Sequence, residues 1–171
     1  TGLSGSGKST IAKLLAERLS QVDDRTVSLL DGDEVRLVLS SGLGFSREDR
    51  LMNVQRIGWV ASLIAKHGGI AVCAPIAPYE IMRAEMRERV EKVGRFVLVH
   101  VSTPLEVCEQ RDRKGLYAKA RAGEIPQFTG ISDSYEEPTD ADLVIDASVV
   151  SPDDAVDQIV GFLEERSDGG G

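Results

Sequence analysis

The chain opens on a phosphate-binding signature, and no other feature constrains its fold as strongly. Gly2-x-x-x-x-Gly7-Lys8-Ser9 satisfies the G-x-x-x-x-G-K-[ST] pattern. Glycines at these spacings let successive backbone N–H groups converge on phosphate oxygens. A lysine here reaches the β- and γ-phosphates, and the hydroxyl after it is a Mg²⁺ ligand. Gly2, Ser4, Gly5, Ser6, Gly7, Lys8, Ser9 and Thr10 are therefore candidate ATP-binding residues, with Ser9 a candidate metal ligand and Lys8 a candidate catalytic residue. Helical periodicity (Ile11, Leu14, Leu15, Leu19) begins directly after Lys8. The dipole of that helix N-terminus would point at the same anion. A loop of this kind follows a strand, and Thr1 leaves no room for one, so a strand upstream of Thr1 is expected.

Downstream, helix and strand patterns alternate. Helical patterns run at about 8–20, 32–40, 46–67, 78–92, 104–111 and 152–166, and apolar strand-like runs at 26–30, 70–74, 96–102 and 143–145. Strands that are apolar throughout and separated by helices imply a parallel sheet covered on both faces. With the expected upstream strand the fold class is α/β, a three-layer α/β/α sandwich around a five-stranded parallel sheet. One domain spans 1–166, and the tail 167–171 is expected to be disordered. Ser46 with Asp49, Thr103-Pro104-Leu105-Glu106 and Ser151-Pro152-Asp153-Asp154 read as helix caps. Between about 112 and 138 the periodicity fails. Glycines, prolines, basic residues and Phe128 alternate there, which reads as a lid or binding segment.

Composition narrows the partners. Lys and Arg number 20 against 28 Asp and Glu, for a net charge of −8, so a globally basic nucleic-acid binder is not expected. An anionic ligand must be held by a local basic site working against the global charge. No apolar run is long enough for a membrane span. Cys73 and Cys108 are far apart and read as small buried hydrophobes, and His67 and His100 lack neighbours at zinc-ligand spacing. A reducing cytoplasm is the expected compartment.

Leu29-Leu30-Asp31-Gly32-Asp33 closes the second strand, and Arg36 follows. Ligands of open α/β sheets lie beyond the carboxyl ends of strands. Asp33 is thus a candidate to orient an acceptor hydroxyl or to help hold Mg²⁺. Asp31 reads equally as a cap or strand-end turn. At 100° per residue Arg50, Asn53, Val54, Ile57, Ala61 and Ile64 share one helical stripe, so Arg50 and Asn53 face inward. A buried arginine needs an anion: a substrate group, or a carboxylate of the protein. Met52, Trp59 and Leu63 form a second apolar stripe, expected to meet a second subunit.

These blocks, together with Leu43-Gly44-Phe45-Ser46-x-x-Asp49-Arg50-x-x-Asn53, Arg111-Asp112-x-Lys114-Gly115-Leu116-Tyr117-x-x-Ala120-Arg121-x-Gly123-Glu124-Ile125 and Phe128-Thr129-Gly130-Ile131, resemble adenylylsulfate (APS) kinases over essentially the whole chain. The resemblance implies a phosphate-loop NTPase-like fold with a lid. It also implies transfer of the ATP γ-phosphate to the 3′-hydroxyl of APS, giving 3′-phosphoadenylyl sulfate (PAPS) and ADP, with Mg²⁺ as cofactor. On this resemblance Asp33, Arg36, Phe45, Arg50, Asn53, Ile76, Ala77, Lys114 and Phe128 would bind APS, with Phe45 and Phe128 on the adenine. Arg111 would pack on the ATP base, and Ser9 and Asp33 would hold the metal. A homodimer is expected, fused to or associated with an ATP sulfurylase. One position departs from the family: Ile76-Ala77-Pro78-Tyr79 stands where Ile-Ser-Pro-Tyr is usual. Ala77 has no hydroxyl to phosphorylate, so direct in-line transfer is expected. If the family serine is a helix cap, Ala77→Ser should stabilise the fold. Two other functions fit less well: another small-molecule phosphate-loop kinase, and a non-catalytic PAPS-sensing domain attached to an ATP sulfurylase.

Overall fold

Residues 1–168 are described by a computed structural model of the chain. The phosphate loop runs into α1 (Lys8–Val22), whose Ile11, Ala12, Leu15 and Leu19 recur at helical spacing and are buried. β1 (Val27–Asp31) pairs in parallel with β2 (Ile70–Ala74), from Val27 opposite Ile70 to Asp31 opposite Ala74. β3 (Val99–Val101) pairs in parallel with β4 (Leu143–Ile145). Between them lie α2 (Gly32–Val38), α3 (Arg47–Lys66), α4 (Glu80–Glu91), α5 (Leu105–Arg111) and α6 (Leu116–Arg121), and α7 (Pro152–Asp168) follows β4. Short parallel strands linked by helices make an α/β fold, as expected. α1 and α7 pack on each other. They share one apolar cluster with Val72, Ala74, Val101 and Ile145 of the strands. α3 and α4 pack together, and α3 also meets β2. Val54, Ala77, Tyr79 and Met82 form a second cluster there.

The described strands fall into two parallel pairs rather than one continuous sheet. Thr1 runs alongside β3. Its ammonium donates to the Val99 carbonyl at 2.9 Å, and its own carbonyl accepts from the Val101 N–H at 2.9 Å. A largely apolar cavity of about 840 Å³ separates the pairs, lined by Ile11 and Leu15 of α1, Val72 and Ala74 of β2, Val99 and Val101 of β3 and Ile159 of α7.

Several local expectations change. The segment 112–138 contains a helix, α6, which its glycines and charges conceal. α7 extends through Ser167 to Asp168, and the rest of the expected tail, 169–171, lies outside the described residues. Ser46 caps α3, its hydroxyl accepting from the Asp49 N–H at 3.1 Å. Ser151 likewise accepts from the Asp154 N–H. Thr103 is not a cap: α5 begins at Leu105, and the Thr103 hydroxyl donates to the carbonyl of Ser6 in the phosphate loop, at 2.8 Å. Nor does position 77 cap α4, which starts at Glu80 with Tyr79 before it. Ala77 is buried and left-handed, at φ 44°.

Among the described residues no helix is long and apolar enough to cross a membrane. Met52, Trp59 and Leu63 are exposed, Trp59 by 54%, so no helix among the described residues covers that face. The two hydroxyl positions give a paired prediction. Ser46→Ala should cost about 1 kcal/mol. Ala77→Ser should not stabilise the fold, because it caps no helix and its hydroxyl would be buried where it needs a hydrogen-bond partner. Urea unfolding followed by circular dichroism measures both.

Candidate active site

The loop is shaped by glycines with positive φ, 73° at Gly5 and 108° at Gly7, where a side chain would be strained. Gly2 is required for a second reason. A Cβ on it would lie 2.5 Å from the Val101 carbonyl oxygen, so the loop lies directly on β3. The N-terminus of α1 carries no acidic residue in its first turn. Its unpaired N–H groups and positive dipole end therefore stay available to an anion.

A cavity of about 580 Å³ opens beside this loop. Ser4, Gly5, Gly7, Lys8, Ser9 and Thr10 line it at one end, and Arg111 borders it. All nine residues expected at the acceptor line it too: Asp33, Arg36, Phe45, Arg50, Asn53, Ile76, Ala77, Lys114 and Phe128. They come from α2, the segment before α3, α3 itself, the turn after β2 and the segment 112–138. Gly2 and Ser6 do not line it. Gly2 is pressed on β3, and Ser6 is fully buried beneath the loop with its carbonyl held by Thr103. The larger cavity between the strand pairs holds none of the nine acceptor residues except Ala77.

The hydrogen bonds refine several roles. Lys8 Nζ donates to the Leu3 carbonyl at 2.7 Å. Burial, above all, pushes the Lys8 ammonium down to about 8, against the smaller opposing pull of Asp31 and Asp33. Ser9 Oγ donates to Asp31 Oδ1 at 2.9 Å. Asp31 thus joins the loop hydroxyl at the strand end, a role that its alternative reading as a cap hid. Asp33 sits one turn further out, is exposed, and is ion-paired with Lys114 across the cleft. Hydroxyl and carboxylate oxygens of this kind suit Mg²⁺, which takes one or two protein oxygens and completes its shell with phosphates and water.

Arg36 donates to the Gly44 carbonyl at 2.8 Å, and its guanidinium lies 4.4 Å from the Phe45 ring centre. Burial, and then the charge of Arg50, pull its pKa below the ordinary arginine value, against the smaller opposing pull of Asp49 and Asp33. Arg50 is buried, as its stripe predicts, but its fork is engaged within the protein. Nε donates to the Phe45 carbonyl at 2.8 Å, and the two terminal nitrogens bond to Thr129 Oγ1 and the Gln127 carbonyl. Asp133 lies 3.8 Å away. Arg50 therefore ties the Phe45 segment to the Phe128 segment. Asn53 is buried, and its Oδ1 has no protein donor. Arg111 donates to the Ala147 carbonyl at 2.6 Å beside the loop. Tyr117 and Thr129 also line the cavity; sequence reasoning gave them no role, because neither residue type is distinctive in a segment without clear periodicity.

A phosphate loop on a parallel α/β fold, with an adjoining compartment bearing carboxylates, arginines, an exposed Phe45 and a half-buried Phe128, defines a phosphate-loop kinase. The comparisons name the family. Residues 1–146 match the family model for adenylylsulphate kinase, and the chain belongs to that family. The solved APS kinase of Mycobacterium tuberculosis in complex with AMPPNP and APS superposes with a TM-score of 0.91 at 42% identity, over 96% of this chain and 94% of that one. A hexameric APS kinase from Thiobacillus denitrificans is 44% identical with a TM-score of 0.76, over 97% of this chain and 28% of that one. Among curated proteins, a sulfate adenylyltransferase of Phaeosphaeria nodorum is 54% identical over 166 residues, 97% of this chain and 29% of that protein. One of Mycosarcoma maydis is 52% identical over 170 residues, 98% of this chain and 30% of that protein. The chain thus spans less than a third of these relatives.

The state of Lys8 has a measurable consequence. Burial holds the Lys8 ammonium down to about 8, and a bound triphosphate favours its charged form. ATP should therefore bind with net proton uptake around pH 8 and weaken as pH rises through that range. Calorimetry in buffers of different ionisation enthalpy reads the uptake, which Lys8→Met should abolish.

Proposed function

We propose that this chain transfers the γ-phosphate of ATP to the 3′-hydroxyl of APS, releasing ADP and PAPS. The single observation that carries this reading is the convergence, from five separate segments, of all nine expected acceptor residues on one cavity next to the phosphate loop.

ATP is held by the loop from Gly2 to Thr10, with Arg111 beside its base. Ser9 with Asp31 and Asp33 would hold Mg²⁺, which would neutralise charge on the phosphates. Lys8 carries its positive charge to the γ-phosphate, where negative charge grows on transfer. Phe45 and Phe128 flank the adenine of APS. Arg36 and the field of Arg50 favour its phosphosulfate. Arg50 does so while keeping both aromatic segments in place. Asn53 offers its unpaired oxygen to a donor on the substrate. Asp33 orients the 3′-hydroxyl and takes its proton late. Its pairing with Lys114 means that the lysine shifts toward the phosphates as Asp33 engages the hydroxyl. Ile76 and Ala77 line the cleft. With no hydroxyl at 77, transfer is direct and in line, a mechanism that depends on positioning and charge rather than on a protein nucleophile.

Several features support the wider setting. The curated relatives are named for adenylyl transfer to sulfate, the reaction whose product is APS, and this chain matches only a part of each. We therefore place the kinase with an ATP sulfurylase, in one chain or in a complex, and in the cytoplasm. The exposed stripe of Met52, Trp59 and Leu63 is assigned to a homodimer interface.

A coupled ADP-release assay with ATP, Mg²⁺ and APS tests the activity. ADP should appear only with APS. Lys8→Ala should abolish it, and Asp33→Asn should lower kcat more than it weakens APS binding. ADP release that ignores APS, or none at all, would overturn the assignment. For the dimer, Trp59→Glu should convert a dimeric protein to monomer in sedimentation velocity; a wild-type monomer at micromolar concentration would remove the interface.

A further inference from the structure

Tyr117 is buried to 3% exposure in the first turn of α6, inside the segment that covers the cavity. It touches both ends of the site. Its hydroxyl donates to the Ser4 carbonyl, in the phosphate loop, at 2.8 Å. Its ring meets Phe128 edge-on, with centroids 5.0 Å apart at 76°. Its position is fixed by Asp112, whose carboxylate accepts from the Tyr117 and Ala118 N–H groups at 3.0 Å. A second contact joins the same two segments. A Cβ on Gly130 would lie 3.0 Å from Leu3 Cδ2, so the turn after Phe128 rests on the loop.

The peptide between Ser4 and Gly5 is planar and trans. A donor that fixes the Ser4 carbonyl therefore also fixes the Gly5 N–H in the opposite direction. One residue upstream, the Leu3 carbonyl accepts from Lys8 Nζ, the ammonium for which a bound triphosphate competes. Rearrangement of the Leu3–Ser4 backbone on nucleotide binding is thus felt at the Tyr117 hydroxyl. From there the buried ring passes it to Phe128.

We propose that Tyr117 is a positioning residue that couples the phosphate loop to Phe128, so that nucleotide at the loop organises the aromatic wall of the acceptor compartment. This rests on the assignment of Phe128 to the acceptor made above, and the two can fail separately. Coupling between sites is reciprocal and commonly amounts to about 5-fold or more in affinity.

Hydrogen exchange and calorimetry test it on the whole chain. In the wild type, a non-hydrolysable ATP analogue with Mg²⁺ should slow amide exchange across residues 128–132. It should also tighten APS binding about 5-fold or more. Tyr117→Phe keeps the ring and removes the hydroxyl. It should bind the analogue, yet lose both the exchange protection and the gain in APS affinity. A purely structural role would lower the melting temperature without changing the affinity ratio. Wild-type exchange over 128–132 that ignores the analogue, or a Tyr117→Phe variant with an unchanged ratio, would overturn the coupling while leaving the kinase assignment intact. If the variant does not fold, wild-type exchange over 128–132 that ignores the analogue would still overturn the coupling. Wild type that shows nucleotide-dependent protection but binds no APS would overturn the acceptor assignment, and with it the link to the second substrate.

Discussion

The site depends on how closely the phosphate loop lies on the end of β3. Gly2 meets the Val101 carbonyl at a distance that excludes any side chain. Thr103, just beyond β3, captures the carbonyl of Ser6. These contacts hold a glycine-rich segment, the most entropically costly kind to order, in one curvature. The N-terminus of α1 then aims where that curvature sends it. Lys8, Ser9 and the N–H groups of the loop acquire a common focus only because the backbone beneath them is anchored.

The compartment next to the loop is held by a different device. Long cationic side chains reach across it and take backbone carbonyls: Arg36 takes Gly44, Arg50 takes Phe45 and Gln127, and Arg111 takes Ala147. A guanidinium can hold several acceptors in one plane while keeping its charge. The same residues that shape the walls thus create a positive field inside a protein of net charge −8. Burial first, and the charge of Arg50 second, hold Arg36 below its ordinary pKa, and an anionic ligand would oppose both. The contact between Lys114 and Asp33 applies the same principle across the mouth of the cleft, where both groups are exposed and the pair is correspondingly weak.

Position 77 shows how context changes the meaning of a residue. Read along the chain, Ala77-Pro78 suggests a lost helix cap. In the fold the helix starts three residues later, and Ala77 is a buried, left-handed residue whose carbonyl accepts from Arg83 at 2.9 Å. Its role is to turn the chain into the cleft, and a hydroxyl there would have no helix N–H to cap. Thr103 carries the same lesson in reverse. A residue that fits a capping box instead bonds to a loop 97 positions away.

Local chemistry was legible without coordinates. The phosphate loop, the alternation of helices and strands, the inward stripe of α3 and its exposed second stripe all follow from spacings within one or two turns, and spacing is what a sequence displays. Asp33, Arg50 and Asn53 were placed by spacing, whereas the rest of the acceptor lining was expected only from the family resemblance. Contacts between distant segments were decided by the tertiary structure alone. Ser9 was joined to Asp31 rather than to Asp33, Arg50 was committed to Thr129 and Gln127, and Tyr117 was set between loop and aromatic wall. Polar side chains can satisfy their hydrogen bonds with many partners, and only the packing of the whole chain selects which one is within reach.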